Sequence, residues 1–429
     1  MMLHIESLKE RTKNKPIEKL VDPPYIYIPL SRKFGDKPEP AVKVGDTVKR
    51  YQVVAKAIEG YAAPIHSPVS GWVSDIKECM QVSGEKVLTI IIKNDFLDTE
   101  IELPEGDPLN YSSDEILSII EDAGIIGAGG AEFPTAKKYQ LNGKDVRMFI
   151  INGAECEPYM TCDYAIMSQR TREFFTGIGY INKILQAEEV VIGIEENNRD
   201  LQELFAPYLE KYKYGKCRLQ ILPDAYPQGG ELQLIESVTG IELANGRVPI
   251  EVGIVMSNVG TVYAVYEAVA KRIPMVERVL TVSGEQAEEC GNFLIKIGTP
   301  VRDIIRAVGE PENGSWVIVG GPMMGKAIND LSVPVTKGST GLLLLNREKF
   351  ERLNCIWCGY CVEVCPMYLM PMKYEELYRK KKYKQLKTYS LESCIDCGSC
   401  EYICPSNVPL MESIQKGKNK LKEMSDATT

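Results

Sequence analysis

No apolar run in the sequence approaches the ~20 residues that a membrane-spanning helix requires. The first residues, Met1 to Pro16, are polar and of mixed charge, without the apolar centre of a secretory signal. Together these absences predict a cytoplasmic chain, soluble or peripheral on the cytoplasmic face of a membrane. A low-complexity tract is also missing, and a charged fraction of 25% argues against bulk disorder. Positive charge is not in excess: 50 Lys and Arg face 59 Asp and Glu, a net charge of −9. A nucleic-acid partner needs a concentrated basic surface, so none is expected. The 429 residues are 44% hydrophobic, enough for roughly two to four domains with their own cores.

Cysteine is plentiful, and its distribution is uneven. Of thirteen cysteines, eight fall in two tight runs. A secreted disulfide scaffold would be short and would scatter them, so clustered thiols in a cytoplasmic chain point to metal. The first run is Cys355, Cys358, Cys361, Cys365 and then Pro366; the second is Cys394, Cys397, Cys400, Cys404 and then Pro405. Both have the spacing C-x2-C-x2-C-x3-C-P. Three thiolates on one loop hold three corners of a 4Fe–4S cubane, and the fourth cysteine reaches across to the other cluster. This predicts Cys355, Cys358, Cys361 and Cys404 on one cluster and Cys394, Cys397, Cys400 and Cys365 on the other. A zinc site would prefer C-x2-C pairs with a longer gap. Cys79 and Cys217 sit in strand-like contexts and read as core residues.

The chain divides by pattern. Residues 1–30 read as a leader ending in the extended stretch Tyr25–Pro29. From Pro40 to Ile92 short strands and tight turns suggest a small sandwich or barrel. The middle alternates helix and strand, with a helix opening at Ser113 and closing at Gly124, and strands at Val146–Ile151, Val190–Ile194 and Cys217–Leu222. That alternation implies a largely parallel sheet. β pattern returns over 278–345 around a short helix at 300–308, and 350–415 is helical and cysteine-rich.

Four polar patches stand out in the middle. The loop from Gly124 through Gly127, Gly129, Gly130, Glu132 and Phe133 to Lys138 has glycines close enough to let backbone approach a phosphate or a flat ring. It is not a Rossmann fingerprint, because the spacing and the preceding helix are wrong. The second patch, Asn152 to Pro158 with Glu155 and Glu157, follows a strand, where ligands of open α/β sheets bind. The others are Tyr226 to Glu231, with Gly229, and Ser257 to Thr261, with Asn258. Taken singly, each also reads as an ordinary turn.

Taken together, the four patches resemble the C subunit of the Rnf complex and, more distantly, the FMN- and NADH-binding subunit of respiratory complex I. The resemblance spans about residues 15–415 and implies a multidomain α/β protein. The expected parts are a barrel-sandwich N-terminal domain (1–100, with the leader), an α/β FMN/NADH-binding domain (110–270), a β-grasp domain of the soluble-ligand-binding (SLBB) type (275–345) and a helical two-cluster ferredoxin-like domain (346–415), with 416–429 as a flexible tail. It implies that Gly127, Gly129 and Gly130 form the loop against FMN and that Lys138 contacts its phosphate. Asn152 would lie beside the flavin, Glu155 and Glu157 near flavin and nicotinamide, and Phe133 on NADH. Tyr226, Gly229 and Glu231 would lie over the flavin face, and Asn258 and Thr261 would complete the phosphate pocket. The implied function is electron transfer between NADH and a redox partner through FMN and two 4Fe–4S clusters. The partner is either the membrane subunits of an Rnf complex or a soluble reductase.

Departures from the family pattern leave alternatives open. Glu132 replaces a small loop residue and puts a negative charge near the dinucleotide path, which suits an adaptor that has lost nucleotide binding. A Gly-Gly-x-His-Pro element is missing near the N-terminus. Cys290 stands where proline is usual. In layout the chain also resembles the soluble carriers associated with D-proline reductase, where Cys290 would serve thiol exchange. The propanediol-utilisation type of cobalamin reductase shares the loop and clusters but usually begins near the loop. The basic stretch Lys373–Lys387 suits an acidic partner docked beside the clusters.

Overall fold

The computed structural model describes residues 2–31, 37–57, 63–243, 246–347 and 350–426. The turn at Gly60–Ala62, where a carrier domain would place its modified lysine, lies outside the described residues.

The N-terminal strands are β1 (Ile17–Lys19), β2 (Tyr25–Pro29), β3 (Glu39–Pro40), β4 (Thr47–Val48), β5 (Val53–Lys56), β6 (Ile65–His66), β7 (Gly71–Met80) and β8 (Lys86–Asn94). Two sheets, β2-β8-β7-β4 and β3-β5-β6, enclose a core of Ile26, Ile28, Val54, Val69, Val73, Ile90 and Ile92. Alternation along β2 turns Ile26 and Ile28 inward and leaves Tyr25, Tyr27 and Pro29 half-buried, as a period of two requires. Gly71 has φ +149°, and a Cβ there would lie 1.9 Å from the Lys93 carbonyl oxygen, so this crossing needs glycine. His66 is buried, and burial pushes its imidazole down to about 3, as suits a structural residue.

The second domain runs α1 (Ser113–Asp122), α2 (Thr135–Tyr139), β9 (Met148–Gly153), α3 (Cys162–Gln169), α4 (Thr171–Leu185), β10 (Glu189–Glu195), α5 (Leu201–Glu210), β11 (Lys216–Leu222), α6 (Glu231–Thr239), β12 (Ile254–Asn258) and α7 (Val259–Lys271). Helix α1 is capped by Ser112, which forms a reciprocal capping box with Glu115. The sheet order is β11-β10-β9-β12, and every pairing is parallel. Its central strands bury both faces, which explains their near-continuous apolar runs.

Next come β13 (Glu277–Ser283), β14 (Gly291–Lys296), α8 (Val301–Val308), β15 (Trp316–Val319), β16 (Lys326–Ile328) and β17 (Gly341–Leu345). A β13–β14 hairpin, a helix, and β17 inserted parallel to β13 give the β-grasp order β14-β13-β17-β15-β16. The leader takes part in this fold: β1 extends the sheet, pairing Ile17–Lys19 in parallel with Asn292–Leu294. Ahead of it, Leu3 bridges to Tyr226, the Ser7 carbonyl accepts from the Tyr159 amide, and Arg11 donates to the Gly284 and Ala287 carbonyls. Residues 3–19 therefore strap the second domain to the third.

The last domain holds α9 (Tyr360–Glu363), α10 (Pro371–Arg379), α11 (Tyr383–Thr388), α12 (Ser399–Tyr402) and α13 (Leu410–Asp426). The expected flexible tail from 416 is instead the body of α13 as far as 426, because its apolar face is used. Ile414 is fully buried with Tyr374, Leu377, Leu386 and Leu391, and Leu421 packs against them. Among the described residues, no helix is long and apolar enough to cross a membrane.

Ile414→Ala should cost about 2–5 kcal/mol, read as an earlier denaturation midpoint for the cluster domain. Lys422→Ala, on the exposed side of the same helix, should leave that midpoint in place.

Candidate metal and cofactor sites

Both cysteine runs fold the same way. The first cysteines wrap a loop that turns at a left-handed glycine, Gly359 (φ +86°) or Gly398 (φ +78°), and enters a four-residue helix. The fourth cysteine follows that helix. One cavity, of about 290 Å3, is lined by Cys394, Cys397, Cys400 and Cys365. A second, of about 360 Å3, is lined by Cys355, Cys358, Cys361 and Cys404. These are the two crossed groups that the spacing predicts. Burial pushes the Cys394 thiol up to about 11 and raises Cys361 and Cys397 above the usual value. Cluster assembly therefore has to displace protons from these thiols.

The glycine loop lies between α1 and α2, across the carboxyl end of the parallel sheet. The Gly127 amide donates to the Phe133 carbonyl at 2.9 Å, and the Ala128 amide donates to Thr261 Oγ1 at 2.9 Å. Asn258 caps α7 by accepting from the Gly260 amide. A Cβ on Gly129 would lie 3.1 Å from that of Asn258. At the end of β9, Asn152 Nδ2 donates to the Gly229 carbonyl at 2.8 Å. A Cβ on Gly229 would lie 2.3 Å from the Ala154 carbonyl oxygen, so this approach also needs glycine. Lys138 faces Glu231 at 3.4 Å. Gly127, Gly129, Gly130 and Gly229 on loops, Asn152 and Asn258 at strand ends, and Glu231 and Thr261 in the first turns of helices thus gather at the carboxyl end of the sheet, with Lys138 on the helix beside them.

Other expected site residues also make structural contacts. Glu155 is buried; its carboxylate accepts from the Asp163 and Tyr164 amides and the Cys162 thiol, capping the N-terminus of α3. Glu157 accepts from the Met323 and Met324 amides, both at 2.9 Å, and so holds a turn of the β-grasp domain. Tyr226 is 1% exposed and not spread over an open face. A buried phenol needs a partner, and its hydroxyl donates to the Cys397 carbonyl at 2.7 Å. Cys290 lies in the β-grasp core at 4% exposure, its thiol beside the Gly284 and Ala287 carbonyls. It is neither a surface thiol nor placed for exchange with a partner. Glu132 turns toward the third domain, where Thr336 Oγ1 donates to it at 3.2 Å. The Phe133 side chain is half-buried.

Lys9, Glu195 and the buried state of Glu157 have no signature in the local sequence. Lys9 on the strap is buried, donates to the Glu155 carbonyl and faces Glu195 at 3.7 Å. Glu195 ends β10, its Oε2 takes no hydrogen bond among the described residues, and burial pushes the carboxyl up to about 7 despite Lys9. Burial likewise pushes Glu157 up to about 7, against its two amide donors. Only a three-dimensional register of strand ends brings these groups together.

The loops at the carboxyl end of the sheet suit a flavin. Tight backbone approaches at Gly129 and Gly229 present bare main chain there. Buried Gln228 Oε1 and both amide atoms of Asn198 take no hydrogen bond among the described residues. Polar atoms in that state call for a ligand or water. By contrast, a cavity of about 660 Å3 behind the loop is lined by Asp163, Glu267 and Glu277 with one arginine, Arg278. That lining repels phosphate, so the cavity does not suit FMN.

The comparisons agree with this geometry. Residues 120–267 match the family described as the Nuo51 FMN-binding domain, 3–97 the RnfC barrel sandwich hybrid domain, and 354–408 the 4Fe-4S dicluster domain. The chain is 38% identical over 395 residues to the C subunit of a proton-translocating ferredoxin:NAD(+) oxidoreductase complex from Clostridium ljungdahlii, covering 90% of this chain and 85% of that one. The chain belongs to the RnfC family. Another RnfC relative, the C subunit of an ion-translocating oxidoreductase complex from Rhodobacter capsulatus, is 38% identical over 98% of this chain and 82% of its own length. A Haemophilus influenzae RnfC relative is 36% identical, and the chain spans 66% of its length. Among solved structures, an NAD+-reducing [NiFe]-hydrogenase in its H2-reduced state has a TM-score of 0.51 at 19% identity, covering 74% of this chain and 61% of that one, a likeness of fold. This RnfC chain is thus a flavo-iron–sulfur electron-transfer subunit with an FMN-binding domain and a 4Fe–4S dicluster domain.

Cys404→Ala should deplete iron from the site of Cys355, Cys358 and Cys361, although Cys404 sits in the other run; electron paramagnetic resonance should still show the second cluster. A separate test uses pH. Glu195 and Glu157 have folded values of about 7, against an ordinary 4.5. The folded chain holds protons in that window that the unfolded chain releases, so this contribution to stability is full below pH 4.5 and is lost as pH rises through 7. Glu195→Gln should therefore melt at an increasingly higher temperature relative to wild type as pH goes from about 5 to about 8.

Proposed function

We propose that the chain passes electrons between NADH and a protein redox partner, with FMN at the carboxyl end of the parallel sheet and the two clusters in series. The observation that carries this reading is the joining of the two sites: the loop after β11, part of the FMN-binding domain, touches a cluster ligand through Tyr226 and Cys397. FMN supplies the exchange between a two-electron donor and one-electron clusters. The chain's own residues bind and exclude. The loop 127–130, Asn152, Asn258 and Thr261 supply the pocket, and Lys138 supplies the cation for a phosphate. Phe133 on the same loop would lie against NADH. Glu155 and Glu157 also hold α3 and the 323–324 turn.

The relatives' names favour an ion-translocating complex, with this chain as a peripheral subunit on the cytoplasmic face. Its cluster domain with the terminal helix, residues 346–429, carries 14 Lys and Arg against 11 Asp and Glu, in a chain of net charge −9. Lys381, Lys382, Lys384 and Lys387 are exposed on it, which suits an acidic partner steered electrostatically. The soluble-carrier reading retains the same cofactors but loses its thiol route, since Cys290 is buried. The adaptor reading loses its main support, since Glu132 is held against Thr336.

Anaerobically prepared protein should retain FMN without a covalent link and about eight irons. Lys138→Ala should lose most of its flavin on gel filtration, scored by released fluorescence, because a charge-assisted contact is removed. Full flavin retention in that variant would count against the pocket.

A further inference from the structure

The two cluster cavities differ in what surrounds them. The cavity of Cys355, Cys358, Cys361 and Cys404 is lined wholly by residues 355–410 of its own domain. Cys358 is exposed, and around it Ile356, Trp357 and Tyr360 are 65%, 55% and 50% exposed. The cavity of Cys365, Cys394, Cys397 and Cys400 meets other domains at three points. Tyr226 Oη donates to the Cys397 carbonyl at 2.7 Å. Gln233, on α6 just beyond the Gly229–Glu231 loop, has its Nε2 3.6 Å from Met367 Sδ, and Met367 lines this cavity. Gly398 also lines it, and a Cβ there would lie 2.8 Å from the Met323 carbonyl oxygen, on the turn that Glu157 holds. Cys397, Tyr226, Leu3, Val364, Cys156 and Met323 form one apolar cluster that seals this junction.

We infer that the cluster of Cys365, Cys394, Cys397 and Cys400 is the inner of the two, and that Tyr226 is the positioning residue that fixes it against the flavin-side loops. This rests on the electron-transfer reading above and adds an order to it. An electron crosses between the FMN domain and the inner cluster, then between inner and outer clusters. In each step one centre is oxidised as the other is reduced, and no bond is made or broken. The outer cluster, under its exposed apolar collar, is the one a partner meets.

Tyr226 also has an electrostatic consequence. Its hydroxyl dipole points its positive end at the ligand loop of the inner cluster, and reduction adds negative charge there. The contact therefore favours the reduced form. Lys418 also donates to the Cys394 carbonyl at 2.6 Å from α13, but it is paired with Asp396, so the pair brings no net charge.

The test is potentiometry with dithionite and mediators, followed by electron paramagnetic resonance on cluster-loaded protein; it needs neither flavin nor NADH. Tyr226→Phe keeps the ring and removes the hydroxyl, and should lower one midpoint potential while leaving the other in place. Gln233→Leu should move the same midpoint. Trp357→Ala, beside the outer cluster, should move the other one. Chromium trisoxalate, a bulky soluble relaxant, should speed relaxation of the signal sensitive to Trp357 and spare the one sensitive to Tyr226. A Tyr226→Phe variant that moves neither midpoint, or moves the one that Trp357→Ala moves, would overturn this order of clusters. Preferential relaxation of the Tyr226-sensitive signal would overturn it as well. Failure of the flavin reading would show separately, as protein without FMN whose clusters still titrate.

Discussion

Crossed grouping of the thiols is the constraint on which the last domain depends. Each cavity takes three thiols from one run and one from the other, so neither run completes a site by itself. The paired loops fold as one unit, closed by α13, whose Ile414 sits in the core beneath both. Buried thiols resist ionisation, and burial raises Cys394, Cys397 and Cys361 above the usual thiol range. Iron bound by these thiols would offset that cost and would tie folding of the last domain to cluster assembly.

The flavin side follows a different logic. Its parallel sheet ends in loops whose glycines allow close approach, at Gly129 against Asn258 and Gly229 against Ala154. The acidic residues of the same loops have become fasteners. Glu155 caps α3, and Glu157 holds the 323–324 turn. The N-terminal strap adds Lys9 between Glu155 and Glu195. These contacts fix the second and third domains around one junction, and that junction packs against Cys397 of the last domain.

Much of this was legible in the sequence, for physical reasons that differ by site. Cluster ligation is set by short spacings within a loop, so the cysteine runs announced the cavities. Alternating strand and helix patterns likewise announced the parallel sheet, and the glycine-rich patches marked where its ends converge. Contacts across domains were not legible. Glu157 reaches an amide 166 residues away and Tyr226 a carbonyl 171 residues away, and no local pattern encodes either. Residues 416–426 read as a polar tail because only a few apolar side chains, Leu421 among them, face the core. Cys290 read as a candidate for thiol exchange, yet it packs into the core with residues of β13 and β14, which buries the thiol.

The proposed electron path, from nicotinamide through flavin to both clusters, is tested most directly by anaerobic titration with NADH, followed optically on protein holding FMN and both clusters. A single connected path requires flavin absorbance and the broad cluster absorbance to fall together, with no added mediator. Clusters that bleach with dithionite but stay oxidised under excess NADH, in protein that retains its FMN, would contradict it.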